Sequence, residues 1–316
     1  MTSLPPISFE KLRSASVRVS SAIASPTVSP MAAFRDKALR LFFLRGLLSP
    51  FVAARWAGFI RAYHRAFDAE PPVSRVLAKP VRSYVDARLG PARRLDMLRT
   101  HYNLLRGAVS PDALRRLCSG EAIQIVELEA RKGNRYRLVI AASVAVSMQR
   151  EGELALYLVK RGARTPVSRI SLALGLVQGG AAVMIGGLQG PGAGHKRDVI
   201  DATRELHGLR PKDATLLAAR ALANALGAGS VQAVADRVHV LNRLQDLSKH
   251  ADYDSYWRER GATSGGPLGF VFPPLAAPAE PGGAREAVKS AIVSGIERFV
   301  REHGAVRSGG NPSIAA

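Results

Sequence analysis

The feature that most limits the fold is the stretch 170–194, which contains no charged side chain. A stretch of this length satisfies a hydropathy search for a membrane-spanning helix. Its middle, however, is Gln178-Gly-Gly, which is typical of a tight turn between two strands. We therefore predict two buried strands, at 168–177 and 181–188, and no transmembrane helix.

Three more stretches with alternating apolar residues precede this pair. They lie at 123–129, 136–140 and 154–159, and Lys132-Gly-Asn provides a hairpin turn between the first two. Because no helical pattern separates these strands, they predict an antiparallel meander. The later segments are predicted to be helices at 196–206, 213–227 and 252–261, and strands at 231–235 and 270–272.

The first 120 residues show helical rather than strand periodicity. Residues 31–67 have apolar side chains at helical spacing with Arg and Lys between them, and Pro50 divides them into two helices. A basic helix with large aromatic side chains can lie in a membrane interface or face a protein core, and the pattern does not separate these alternatives. Helical spacing resumes at 81–107, and Ser110-Pro starts a further helix that ends at Cys118.

These segments predict an α+β fold in which a basic helical N-terminal region packs on an antiparallel, mixed sheet domain. The predicted organisation is a disordered lead at 1–30, a basic helical region at 31–118, the sheet domain at 119–275, a Pro/Gly/Ala linker at 276–284, a C-terminal helix at 285–303 and a disordered tail at 304–316. The length of 316 residues is sufficient for one large domain or two small ones.

The chain is strongly basic, with a formal net charge of +20. Residues 1–120 contain 20 basic and 7 acidic side chains, so the excess is concentrated there. Such a surplus indicates an anionic partner, unless it reflects a compositional bias toward Arg, which outnumbers Lys by 36 to 9. No nucleic-acid-binding motif is recognised, so nucleic acid is the least favoured partner, and residues 35–65 are the candidate surface for an anionic membrane.

A glycine-rich loop between a strand and a helix is the clearest candidate ligand site. It follows Ile185-Gly-Gly-Leu, and its candidate binding residues are Gln189, Gly190, Gly192, Gly194, His195 and Lys196. Glycines let the backbone approach a ligand, and the N-terminus of the next helix attracts anions, so the loop could hold a pyrophosphate. The alternative is a tight turn without a ligand. No Gly-Lys-Ser/Thr follows, so the loop is not a Walker A motif.

Two further groups of residues are candidates for chemistry. Glu151 and Glu153 flank one residue at the entrance to a strand and could act as a general base. Their alternative is a solvated strand end, or an ion pair with Arg150 or Lys160. Arg210 and Lys212 lie at the start of a predicted helix and could hold an anion, or belong to a rigid turn between two helices.

Cysteine and histidine spacing gives no sign of a disulfide or a metal site. Cys118 is the one cysteine, and its helical context indicates a buried structural thiol. The seven histidines show no spacing typical of metal ligands, so no metal is expected. The Ser/Pro-rich N-terminus does not resemble a signal peptide, so we expect a cytoplasmic protein that can lie peripherally on the inner membrane.

Six short motifs resemble the VirK/YbjX family of bacterial proteins of unknown biochemical function. They are His101-Tyr102, Glu151–Leu154, Ile185–Pro191, His207–Lys212, His239-Val240 and Asp252–Trp257, in the family's order. The ends depart from the family, since the C-terminal helix lacks a dense Arg/Lys cluster. The resemblance implies an envelope-associated protein of a Gram-negative bacterium, linked to virulence and to resistance against cationic antimicrobial peptides.

The loop at 189–194 also resembles the Gln/Arg-x-x-Gly-x-Gly/Ala loop of the GNAT acyltransferase superfamily. In that superfamily the loop holds the pyrophosphate of coenzyme A on backbone N–H groups, and one helix usually separates it from the next strand, where two are predicted here. This resemblance implies acyl transfer from acyl-CoA or from an acidic acyl carrier protein, with Glu151 or Glu153 as base. The competing expectation is a non-enzymatic module that binds anionic lipid or lipopolysaccharide headgroups.

Overall fold

The computed structural model describes residues 36–192, 194–241, 252–275 and 282–305. The predicted disordered lead at 1–30 lies outside the described residues. So do residues 276–281 of the predicted linker and residues 306–316 of the predicted tail.

The described part of the chain contains helices at both ends and strands in the middle. The helices are α1 (Lys37–Gly46), α2 (Pro50–Ala66), α3 (Ser74–Leu77), α4 (Pro91–Ala108), α5 (Pro111–Cys118), α6 (Lys196–Glu205), α7 (Pro211–Ala225), α8 (Tyr253–Glu259) and α9 (Ala284–His303). The strands are β1 (Ile123–Glu129), β2 (Arg135–Ala142), β3 (Leu154–Lys160), β4 (Ser168–Val177), β5 (Gly180–Gln189), β6 (Ser230–Val234), β7 (Thr263–Gly265) and β8 (Gly269–Phe272).

The eight strands form one mixed sheet in the order β1-β2-β3-β4-β5-β6-β8-β7. The first five strands are consecutive antiparallel neighbours, which confirms the predicted meander. β6 then pairs in parallel with β5, because α6 and α7 return the chain to the same end of the sheet. The α+β class is therefore confirmed. At the β5–β6 pair the strand pairing changes from antiparallel to parallel.

The charge-free stretch forms the β4–β5 hairpin, as predicted. Its turn places Gln178 and Gly179 at φ 51° and φ 80°, the conformation that a two-residue hairpin turn requires. Both strands are largely buried on both faces, which explains their lack of charge.

Helices cover both faces of the sheet. On one face, α7 and α9 pack on alternate residues of the strands, including Leu172, Leu174 and Ile185. On the other face, α2 and α4 form a second core with residues of opposite parity, Ala173 and Met184. The basic N-terminal helices are therefore packed on the sheet, as the sequence predicted.

The prediction of a helix throughout 81–107 is wrong for its first ten residues. Helix α4 begins only at Pro91, and the preceding residues form tertiary backbone hydrogen bonds instead. Val85 donates to the carbonyl of Arg150 at 2.8 Å, and Ala87 donates to the carbonyl of Val238 at 2.8 Å. Val85 also has φ 52°, which a helix excludes and which is rare for a β-branched residue. Local periodicity cannot reveal these long-range bonds.

Candidate functional site

The end of the parallel β5–β6 pair is a candidate position for a site, because ligands often bind at the carboxyl ends of parallel strands. The pairing of β5 with β6 stops at Ile185, opposite Ala233. Beyond this point, no strand of the described residues pairs with β5 on its β6 side. The Tyr253 hydroxyl takes that place at Leu188, where it accepts from the amide at 3.0 Å and donates to the carbonyl at 3.1 Å. The opening between the strands is therefore filled by side chains.

Glu151 occupies this opening, and two glycines of β5 make room for it. A Cβ on Gly187 would lie 2.6 Å from Glu151 Oε1 and 2.7 Å from Oε2, closer than real Cβ atoms approach. A Cβ on Gly186 would overlap the Glu151 main chain. The Gly-Gly pair before the glycine-rich loop thus has a packing reason that is independent of any ligand.

The Glu151 carboxylate is fully hydrogen-bonded inside the chain. Gln189 Nε2 donates to its two oxygens at 3.0 and 2.9 Å, and His239 Nε2 lies 3.0 Å from Oε1. Because His239 Nδ1 accepts from the amide of Leu241 at 3.3 Å, the ring proton lies on Nε2, which donates to Glu151. Both ring nitrogens are therefore engaged, and transfer of a proton to a ligand would require one of these bonds to break.

Glu153 belongs to a second buried cluster, two residues from Glu151. It forms an ion pair with Lys79, and the Tyr102 hydroxyl donates to its Oε2 at 2.7 Å. Lys79 also donates to the carbonyl of Gly152 at 3.1 Å. Burial lowers the pKa of Lys79, and the charge of Glu153 opposes that shift. The pair is thus held by mutual charge in a site closed to water.

The Glu153 carboxylate also affects the pKa of two neighbouring tyrosines. Burial, then the charge of Glu153, raises the pKa of Tyr102 and of Tyr84 well above the usual range. Tyr84 is 0% exposed, so its hydroxyl is closed to solvent. Both phenols therefore stay protonated, and Tyr102 acts as a donor to Glu153.

The sequence alternatives for these two glutamates are wrong, since neither is a solvated strand end and neither pairs with Arg150 or Lys160. Strand β3 begins only at Leu154, and both carboxylates are buried. Lys160 instead pairs with Glu205 at 3.0 Å. The partners of Glu151 and Glu153 come from positions 79, 102, 189 and 239, which no local spacing connects to them. A role of either glutamate as a base stays a prediction.

His101 is a buried structural residue, and Cys118, predicted to be a buried thiol, is partly buried. His101 Nδ1 accepts from the amide of Leu174 at 2.9 Å, and burial lowers the pKa of the ring to about 3. Burial also raises the pKa of the Cys118 thiol to about 12. Neither group is therefore in an ionised form at neutral pH.

The glycine-rich loop leaves β5 directly after Gln189 and is open to solvent. Gly192 and Gly194 have free space where a Cβ would be, and Gly194 has φ 90°. His195 lies at the start of α6, where its ring pairs with Asp198 at 2.8 Å. The loop thus begins at the end of the last meander strand, and Gly194 adopts a left-handed conformation that favours glycine.

Of the predicted cations, the structure brings Lys212 to this loop. A Cβ on Gly190 would lie 4.0 Å from Lys212 Cε, and burial followed by the charge of Arg260 lowers the pKa of Lys212. Lys196 and Arg210 are exposed at the starts of α6 and α7, and neither lies within 4 Å of the place where a Cβ on a loop glycine would be. Gln189 is shared, because it lies between the loop and the Glu151 carboxylate.

A different surface stands out on the N-terminal helices. Five large apolar side chains are exposed at the turn between α1 and α2, with exposed fractions of 54% for Phe43, 61% for Leu44, 77% for Leu47, 84% for Leu48 and 83% for Phe51. The opposite side of α1, with Ala38, Leu39 and Gly46, is buried. We call these five side chains the apolar corner. Helical periodicity alone could not tell this exposed face from the buried one.

The chain matches known proteins over most of its length. A family model described as "Protein of unknown function (DUF535)" matches residues 34–278. The uncharacterized protein YbjX of Escherichia coli (strain K12) is 29% identical over 234 residues, which cover 72% of this chain and 68% of YbjX. No solved structure matches the chain. Among the described residues, no helix is long and apolar enough to cross a membrane. The chain therefore belongs to the DUF535 family, which includes YbjX.

Proposed function

We propose that the protein binds peripherally to anionic lipid bilayers by inserting the apolar corner into the interfacial region. The observation that carries the proposal is the exposure of five large apolar side chains within the short segment 43–51. Soluble proteins rarely expose large apolar patches, and such a patch marks a site of interaction with another molecule. Full transfer of each Leu or Phe from water contributes about 1.5–3 kcal/mol.

The charge around the corner favours an anionic lipid surface as its partner. Residues 37–67 contain six Lys and Arg and no Asp or Glu. Basic residues beside an inserted apolar face are attracted to negative headgroups, at about 1 kcal/mol each near the surface. The combination of a cationic border and an apolar centre is the arrangement that interfacial binding requires.

Residues 1–35, which lie outside the described chain, are the other candidate to cover the corner. They contain one acidic and four basic side chains, so their charge repels the basic border. A membrane is therefore the better electrostatic match. An inner-membrane location also agrees with the envelope context that the family resemblance implies.

Vesicle co-sedimentation tests this proposal. The parent protein is compared with a Leu47→Ser, Leu48→Ser, Phe51→Ser variant on phosphatidylcholine vesicles with and without phosphatidylglycerol. We expect salt-sensitive binding that needs the anionic lipid, and at least tenfold weaker binding of the variant. A Leu176→Ser variant is the control, because Leu176 is also exposed, at 47%, but is on β4. Equal binding by all three proteins would refute the proposal.

A second candidate function is binding of a phosphate-bearing acyl donor at the glycine-rich loop. The observation that favours it is the placement of an open glycine loop after β5, where β6 runs parallel, with Lys212 beside Gly190. The residues fit an anion: Gly192 and Gly194 leave room for it, and Lys212 supplies a cation. Acyl-CoA or an acyl carrier protein would then be the donor, and the family's function would be acyl transfer.

Thermal stability separates this candidate from the first. The midpoint of unfolding is measured with coenzyme A, several acyl-CoA species and an acylated carrier protein. A ligand at a hundredfold excess over Kd stabilises the folded state by about 2.7 kcal/mol. A shift for the parent but not for a Gly192→Asp, Gly194→Asp variant would support donor binding. No shift with any of these donors would remove this candidate and leave the membrane function.

A further inference from the structure

Four arginine side chains, of which Arg45 adjoins the apolar corner, have no carboxylate partner among the described residues. They are Arg45 on α1, Arg75 on α3, Arg82 between α3 and α4, and Arg150 before β3. None of them forms an ion pair with any described residue, whereas Arg88, Arg115, Arg135 and Arg260 each pair with a carboxylate. Unpaired arginines grouped in this way are unusual, since each repels the others.

Contacts to the main chain of segment 81–85 connect three of the four, Arg45, Arg82 and Arg150. The Arg45 guanidinium donates to the carbonyl of Val81 at 3.5 Å, which places it beside Arg82. The carbonyl of Arg150 accepts from the amide of Val85 at 2.8 Å. Segment 81–85 therefore links the arginine of α1 to the arginine that precedes β3.

The electrostatics of the group agree with its geometry. Burial, followed by the charges of Arg45 and Arg75, lowers the pKa of Arg82. Burial and the charge of Arg82 lower the pKa of Arg150, while Glu151 acts in the opposite direction. The Glu151 carboxylate is oriented by three hydrogen bonds from Gln189 and His239 and forms no ion pair with Arg150.

Only two hydrogen bonds of these guanidinium groups are found among the described residues, one from Arg45 and one from Arg150. Arg150 uses one Nη2 hydrogen bond, to the carbonyl of Val240 at 3.0 Å, and its buried Nε finds no partner in the described chain. A guanidinium presents a planar fork of donors that matches phosphate oxygens. A phosphate group would supply both the missing negative charge and the missing acceptors.

We propose that Arg45, Arg75, Arg82 and Arg150 bind the phosphate group of an anionic lipid headgroup, and we call them the arginine site. The proposal rests on the membrane function, because the lipid's acyl chains would lie against the apolar corner that flanks Arg45. A phosphate monoester suits the site better than a diester, since it offers one more charge and more free oxygens. The site would thus select a lipid class, while the apolar corner supplies general affinity.

Vesicles that differ only in headgroup test the selection. Phosphatidylcholine vesicles are doped with phosphatidate, a monoester, or with phosphatidylglycerol, a diester, to equal zeta potential. We expect the parent to bind the phosphatidate vesicles at least tenfold more tightly. An Arg82→Gln, Arg150→Gln variant should lose this preference and keep its binding to phosphatidylglycerol. An Arg61→Gln, Arg65→Gln control removes the same charge from α2 and should keep the preference.

Thermal unfolding tests whether Arg82 is needed for the fold. Because Arg82 is repelled by its neighbours and pairs with no carboxylate, Arg82→Gln should leave the thermal midpoint unchanged or raise it. A fall of several degrees would show that Arg82 is needed for the fold, and would overturn the proposal.

The remaining outcomes separate this proposal from the membrane function. Equal affinity of the parent for both vesicles, or loss of the preference in the control, would overturn the arginine site alone. Binding to neither vesicle would overturn the membrane function and the lipid site together. Inorganic phosphate, compared with chloride at equal ionic strength, then distinguishes a lipid phosphate from a free phosphate. If inorganic phosphate raises the thermal midpoint of the parent, and the parent prefers neither vesicle, the site binds free phosphate and the lipid proposal is overturned.

Discussion

Replacing Lys79 with methionine would leave a carboxylate buried without its counter-ion. The side chains of Lys79 and Glu153 are 3% and 2% exposed, so water cannot replace the lost partner. In the Lys79→Met variant, the charge of Glu153 would be stabilised by one hydrogen bond of this cluster, from Tyr102. Removal of one member of a buried ion pair costs about 3–5 kcal/mol. We expect a loss of this size in the free energy of unfolding.

The assay is urea unfolding of four proteins: the parent, Lys79→Met, Glu153→Gln and the double variant. The double variant restores charge balance, since a glutamine carbonyl can still accept from Tyr102. It should be more stable than the sum of the two single losses predicts, by at least about 2 kcal/mol. Additive losses would refute the buried pair.

Three further predictions follow from the buried clusters. Gly187→Ala places a methyl group against Glu151 and should cost about 1–3 kcal/mol of stability, measured by urea unfolding; an unchanged midpoint would contradict the packing described for β5. The pKa of His101 is lowered from 6.5 to about 3, so the folded state binds fewer protons and loses stability as the pH falls from 6.5 toward 3, by about 1.4 kcal/mol per pH unit. In the His101→Asn variant, the Asn side chain can still accept from the Leu174 amide. When the free energy of unfolding of both proteins is measured against pH, the variant should lack this part of the pH dependence. Cys118, with its pKa raised to about 12, should react with iodoacetamide at pH 8 far more slowly in the native protein than in urea, and equal rates would contradict its burial.

The strand region could be predicted because its signals are local. The Gln178-Gly turn and the two-residue alternation on either side fix the β4–β5 hairpin without help from distant residues. Segment 81–90 could not be predicted, because its backbone bonds go to Arg150 and Val238 and override its helical periodicity. The short strand β7 was missed for a similar reason, since it is held by pairing with β8.

The candidate site was predictable only in part. Sequence reasoning found Glu151, Glu153, Gln189 and the loop, but missed Lys79 as a partner of Glu153 and gave His239 no role beside Glu151. These pairs join residues 74 and 88 positions apart, which only the folded chain brings together.

The apolar corner was equally hidden in the sequence. Both faces of α1 are apolar, and tertiary packing decides which of them is buried. Sequence reasoning therefore identified residues 35–65 as a possible membrane surface, but not the five exposed side chains that would carry the contact.

Insertion depth of the apolar corner tests the central claim most directly. On a Cys118→Ser background, a fluorophore is attached to a cysteine at position 48 or, as a control, at position 176 on the sheet face opposite to α2 and α4. Anionic vesicles that carry a quencher on the lipid acyl chains are then added. We predict strong quenching of the label at position 48 and little at position 176. Equal quenching at the two positions, or none at position 48 when the protein is bound, would contradict the membrane account.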